Sequence, residues 1–172
     1  MPAQRLLLAP GGSGRIEQLA PHASGLEARG LPVELVTLPR GAAERALPHY
    51  REAAGPGLAD AVIGGQSFGG RVASLLAAES PPAALILFAY PLHAPGRHEA
   101  WADRTDHWPR IACPTLLLSG ESDPFARLDL LREAVARLPR ATLVTYPGVG
   151  HGVGPVLEAA LDEVTSFIGA NT

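Results

Sequence analysis

Six short apolar runs, separated by longer stretches and bounded by breaker residues, set the tightest limit on how this chain folds. They are Arg5–Ala9, Val33–Leu38, Ala61–Gly64, Ala84–Tyr90, Thr115–Ser119 and Thr142–Tyr146. Runs of this length, rich in Leu and β-branched residues, fit strands buried on both faces. Between them lie amphipathic stretches. Val72, Leu75, Leu76 and Ala77 form one apolar face; Leu128, Leu131, Val135 and Leu138 form a second. Val156, Leu157, Ala160, Leu161, Val164 and Ile168 form a third. Two earlier helices are weaker: Pro21 and Pro48 each sit where a first helical turn tolerates proline, and Gly30 and Gly55 suit helix ends. Strand alternating with helix implies a mostly parallel sheet covered on both sides, a three-layer αβα sandwich, because parallel neighbours need a crossover. The 172 residues suit a single domain, with no linker to divide them. Residues 92–112 break the rhythm with three His and both Trp, and read as a long loop of functional type.

Composition removes several classes of function. All fourteen basic residues are Arg, which excludes a Walker A loop, a Schiff-base Lys and a kinase β3 Lys. A net charge of −3 without a basic cluster gives no footprint for nucleic acid. A lone cysteine, Cys113, makes neither an internal disulfide nor a Cys-rich zinc site, and six His without H-E-x-x-H name no metal site. Met1 to Arg5 run into an apolar stretch too short for a signal peptide, and no window approaches a membrane span. The expectation is a soluble cytoplasmic protein, monomer or homodimer, that requires no cofactor and binds neither membrane nor nucleic acid.

Chemistry gathers at Gly65-Gln66-Ser67-Phe68-Gly69. This G-x-S-x-G follows an expected strand and opens an expected helix, as a nucleophile on a sharp, strained turn requires. Gly65 and Gly69 relieve crowding there, and Gly70 lets the helix pack close to the strand. A serine hydroxyl needs an adjacent base, itself oriented by a carboxylate. After the fifth strand comes Ser119-Gly120-Glu121-Ser122-Asp123-Pro124; after the sixth comes Pro147-Gly148-Val149-Gly150-His151-Gly152. The chain order Ser67, Asp123, His151 suits this architecture, with Asp123 preferred over Glu121 because it stands last before the next helix. The same Asp123 has a purely structural reading as a helix N-cap. Donors for an oxyanion are the backbone N–H of Phe68 and, from the Gly-rich turn after the first strand, that of Gly12. That turn is no dinucleotide fingerprint, since Glu17 stands where the third glycine belongs.

Four segments carry a resemblance: Gly65 to Ser74 around the serine, Tyr90-Pro91-Leu92-His93-Ala94-Pro95-Gly96, Pro109 to Thr115, and Gly120 to Phe125. In order, and over nearly the whole chain, they resemble the small α/β-hydrolases of dienelactone-hydrolase-related type. They also resemble the bacterial relatives of the hydrolase-like domain in the testis-expressed and KAT8 nonspecific-lethal complex proteins. The resemblance implies an α/β-hydrolase fold with Ser67, Asp123 and His151 as triad, and residues 92–112 as a loop over the site in place of a helical lid. Two departures stand out. Pro10 occupies a position often His in relatives. The chain also begins at the strand before the oxyanion turn, which leaves about six strands in the order 2-1-3-4-5-6.

Other candidates carry two readings each. His93 either lines the substrate pocket or ties down the long loop. Trp101 and Trp108 either wall an apolar pocket or are buried over the sheet. Arg71 either attracts an anionic substrate or pairs with a nearby acid, and Cys113 reads as an inert buried thiol. The expected function is a serine hydrolase acting on a small-molecule ester through an acyl-enzyme. The alternatives are a thioesterase, a C–C or amide hydrolase with the same triad, or a non-catalytic interaction module of the same fold.

Overall fold

Leu6–Ala9 (β1), Val33–Leu35 (β2), Val62–Gln66 (β3), Ala84–Phe88 (β4), Thr115–Gly120 (β5) and Ala141–Tyr146 (β6) pair as one parallel sheet. The computed structural model describes residues 4–172, so the first three residues of the segment weighed above as a signal peptide lie outside the described residues. The strand order is β2-β1-β3-β4-β5-β6, as expected. The direction of winding therefore reverses between β1 and β3, where a crevice opens at the carboxyl ends of the strands.

The helices are Ala20–Glu27 (α1), Ala43–Ala54 (α2), Phe68–Glu79 (α3), the short Trp101–Arg104 (α4), Leu128–Val135 (α5) and Leu157–Asn171 (α6). They divide the apolar side chains into two layers. Leu7, Ile63, Leu85, Leu87 and Leu117 face α2, α3 and α5 together with Tyr50, Leu76 and Leu131. Leu6, Leu8, Ile86, Phe88, Leu116 and Leu118 face the other way, onto α1 and α6 through Leu26, Leu161 and Val164. Alternation along each strand feeds both layers, which is why the strands read as unbroken apolar runs. The buried Tyr50 hydroxyl lies 2.9 Å from the Leu7 carbonyl and 2.6 Å from that of Gly64, and it accepts the Gly64 N–H at 3.0 Å, tying α2 to β1 and β3. Among the described residues no helix is long and apolar enough to cross a membrane.

Several boundaries differ from the sequence reading. β2 ends at Leu35 rather than Leu38, although Val36 N–H still donates to the Leu8 carbonyl. β4 ends at Phe88 because Ala89 turns into the left-handed region at φ +49°. Pro48 lies in the middle of α2, not in its first turn. It is on the exposed face of that helix, where the carbonyl its ring leaves without a donor is open to water. Residues 92–112 are not one open loop. They hold 3-10 turns at His98–Ala100 and Trp108–Arg110 on either side of α4, and fully buried Trp108 anchors them to the α2/α3/α5 layer.

Within that layer His107 is buried against α3. Ser74 Oγ donates to the Arg71 carbonyl at 2.7 Å, so His107 Nε2–H donates to Ser74 Oγ at 2.8 Å. Burial pushes the His107 imidazole down from 6.5 to about 4. Above pH 6.5 the ring is neutral in folded and unfolded chain alike, and its contribution to stability is whole. As pH falls toward about 4 the unfolded chain takes up a proton that the folded one refuses, and stability is lost. Urea denaturation followed from pH 6.5 to about 4 should show a falling midpoint, with a shallower fall in His107→Gln.

Candidate active site

Ser67 occupies the single residue between β3 and α3, with φ +48° and ψ −115°. A non-glycine residue in this region is strained, and such strain collects at functional sites. What holds it there is the absence of side chains on either side. A Cβ on Gly65 would meet the Ala9 carbonyl oxygen at 2.6 Å and the Gly69 backbone at 2.5 Å. On Gly69 it would lie 2.2 Å from the same Ala9 oxygen. The first turn of α3 thus rests directly on the end of β1. Ser67 N–H donates to the Phe88 carbonyl at 2.8 Å, and Arg71 N–H donates to the Ser67 carbonyl at 3.0 Å.

Asp123 and His151 arrive from the ends of β5 and β6. Gly120 makes their meeting possible, because a Cβ there would lie 2.1 Å from the Val149 carbonyl oxygen and 2.3 Å from that of Gly150. The two loops are further joined by Ser122 N–H to the Val149 carbonyl at 2.9 Å. Asp123, 4% exposed, accepts the Phe125 N–H on Oδ1 at 2.8 Å and the His151 Nδ1–H on Oδ2 at 2.8 Å. A carboxylate only accepts, so the proton sits on Nδ1 and leaves Nε2 as the acceptor. Ser67 Oγ–H donates to that nitrogen at 2.9 Å. The Phe125 ring lies against the imidazole, centroids 4.4 Å apart. Three side chains separated by 56 and 28 residues in the chain are thereby brought into one hydrogen-bonded row.

The structural reading of Asp123 as a helix N-cap does not hold, since α5 begins only at Leu128; its carboxylate instead fastens the turn to Phe125. Glu121, the rejected alternative, accepts the Thr145 hydroxyl at 2.8 Å and takes no part in the row. Gly12 and Phe68 line one narrow recess with Gly11, Gly14, Leu38, Pro39 and Arg40; Ser67 itself does not line it. No Cβ contact constrains Gly12, whereas a Cβ on Gly11 would meet Ser67 Cβ at 3.8 Å.

The three candidates for a substrate pocket are placed elsewhere. His93 is fully buried; its Nδ1–H donates to the Ala94 carbonyl at 2.9 Å and its Nε2 accepts the Arg127 N–H at 3.0 Å. With both nitrogens taken by backbone it pins the start of the 92–112 segment. Trp108 is 0% exposed and packs edge-on against Tyr90, so it belongs to the core. Trp101 lies under the Arg137 guanidinium, 4.4 Å away, on the α5 side. Arg71 stands 3.7 Å from Glu44, the ion-pair reading. Cys113 is buried, and burial pushes its thiol up to about 11.

A residue missed in the sequence is His22, in the first turn of α1. It and His151 border the same cleft of about 440 Å³, with Gln18, Pro21, Gln66, Gly152 and Leu157 among its other walls. His22 is 6% exposed and meets Phe88 edge-on at 5.1 Å. Neither of its ring nitrogens has a hydrogen-bond partner among the described residues. A buried polar atom without a partner typically costs about 1–3 kcal/mol. Burial also lowers its affinity for a proton. Nothing in the surrounding residues, Leu19-Ala20-Pro21-His22-Ala23, signals this position in the sequence.

Comparison with known proteins matches residues 42–162 to a family described as an alpha/beta hydrolase domain. No curated protein matches the sequence. Among solved structures, the monoacylglycerol lipase of Paleococcus ferrophilus superposes with a TM-score of 0.83 at 13% identity, over 98% of this chain and 95% of that one. The enol-lactonase from Burkholderia xenovorans gives 0.80 at 16%, over 98% and 92%. Dienelactone hydrolase from Anabaena variabilis gives 0.79 at 20%, over 98% and 87%. At these identities the likeness is one of fold.

The contact of α3 with the end of β1 makes a direct prediction about stability. Gly69→Ala should cost about 3 kcal/mol, because backbone and not a flexible side chain must move. Gly169→Ala, in α6 with open space at its Cβ, should be neutral or gain up to about 1 kcal/mol. Urea unfolding of the two variants side by side measures the difference.

Proposed function

The chain belongs to the alpha/beta hydrolase domain family, and from that premise we propose that it is a serine hydrolase of carboxylic esters. One observation carries the reading. A serine in a strained left-handed turn donates to an imidazole whose other nitrogen is held by a buried carboxylate, at 2.9 and 2.8 Å.

Ser67 Oγ attacks the ester carbonyl carbon while its proton passes to His151 Nε2. The imidazolium so formed is stabilised by Asp123, which also keeps the ring in the tautomer that attack requires. Negative charge develops on the former carbonyl oxygen, and the N–H groups of Phe68 and Gly12 are the donors assigned to it. That Gly12 and Phe68, the residue after the nucleophile, line one recess supports this assignment. Collapse of the intermediate expels the alcohol, which takes the proton from Nε2 and leaves an acyl-Ser67 ester. Water, deprotonated by His151, then attacks that ester, and the carboxylic acid departs as Ser67 recovers its proton. No step calls on a cofactor. The substrate is a small-molecule ester or thioester.

A fluorophosphonate probe should label the wild-type protein and not Ser67→Ala. Hydrolysis of an activated ester should fall by about 10⁴ or more in Ser67→Ala, and by about 10⁴ in Asp123→Asn, where the imidazole loses its orienting carboxylate. Folded wild-type protein that neither takes the probe nor turns over any ester, thioester or amide would instead be an interaction module built on a hydrolase fold.

A further inference from the structure

The proposed hydrolysis leaves His22 without a part. Its ring is nearly all buried, its two nitrogens have no partner among the described residues, and it borders the cleft that starts at His151. No Asp, Glu or Arg lines that cleft; its polar groups are the amides of Gln18 and Gln66 and the two imidazoles. Such walls suit an uncharged occupant, because an ion would enter without a counter-charge.

Stereochemistry says which part of a substrate goes there. His151 Nε2 must hand its proton to the leaving oxygen, so that oxygen and the group it carries lie on the imidazole side of Ser67. The assigned oxyanion donors, Phe68 and Gly12, line a separate recess that shares no residue with this cleft and includes Arg40. The leaving alcohol therefore extends into the cleft that His151 and His22 share. A neutral imidazole offers one donor and one acceptor; both nitrogens are closed to solvent as the ring stands, and a half-turn about the soft bond joining it to Cβ exchanges each with a ring carbon.

Resting on the hydrolase reading above, we propose that His22 is a specificity residue that hydrogen-bonds a second hydroxyl of the leaving alcohol, making the preferred substrates esters of hydroxylated alcohols. A plain alkyl ester would occupy the same cleft and leave the ring without a partner.

The test compares the 2,3-dihydroxypropyl and propyl esters of one short acyl group, reading the ratio of their kcat/KM values. Wild type should favour the hydroxylated ester by about tenfold, the worth of one hydrogen bond that the other ester cannot make. His22→Phe, which keeps an aromatic edge against Phe88, should bring the ratio close to one. His22→Gln, with a donor and an acceptor of its own, should restore part of it. Thermal melting of His22→Phe at or above the wild-type temperature shows the fold intact, since only unpartnered nitrogens have been removed.

If wild type turns over both esters with no preference, or if His22→Phe leaves the ratio unchanged, the inference is overturned while the hydrolase reading stands. If wild type turns over neither ester and takes no fluorophosphonate, the hydrolase reading itself falls and the inference falls with it. Should His22→Phe unfold, the smaller apolar variant His22→Leu decides: a ratio close to one there supports the proposal, and a wild-type ratio contradicts it.

Discussion

Backbone resting on backbone at the end of β1 is the contact on which the candidate site depends. Helix α3 starts within van der Waals distance of the Ala9 carbonyl because neither Gly65 nor Gly69 carries a side chain. Only with the helix so close does the chain have one residue in which to reverse direction, and that residue is Ser67 at φ +48°. The strain of this turn is supported from both sides, by the Phe88 carbonyl below and the first turn of α3 above. A hydroxyl so placed stands clear of the sheet without any flexible loop to hold it.

How much of this was legible in the sequence depends on how local each signal is. The apolar runs named all six strands, because a buried parallel strand reads as a run whatever its neighbours are. The elbow was legible because its glycines and serine are adjacent in the chain, and Asp123 and His151 because each follows directly on a strand end. Boundaries were less legible where tertiary contacts decide them. The end of β4 is set by a left-handed Ala89, a conformation that no residue in Phe88-Ala89-Tyr90 announces. Pro48 was misplaced because an exposed helical face tolerates a missing N–H that a buried one would not.

Residue identity alone was a poor guide in the 92–112 segment and among the histidines. His93, His107, His151 and His22 share one side chain, and their surroundings give them four different situations. Backbone groups take both nitrogens of His93. His107 meets a serine in a helix, and His151 meets a serine and a carboxylate. Neither ring nitrogen of His22 has a hydrogen-bond partner among the described residues. These differences arise from contacts between segments 28 to 84 residues apart for His151, and from the packing of α1 over β4 for His22. The tryptophans follow the same logic: large rings in an irregular segment found the core before they found a cleft.

Gly120 has a consequence of its own. With no Cβ in the way, the end of β5 lies against the carbonyls of Val149 and Gly150, and Ser122 is bonded to the same loop. The acidic and basic members of the row are thus mounted on a common bracket, while the hydroxyl is mounted separately on the β3–α3 corner. Any widening of the crevice would then carry carboxylate and imidazole as one piece and change chiefly their joint distance from the serine. The proton acceptor would stay primed, and readiness would reduce to a single coordinate: whether bracket and corner are in register.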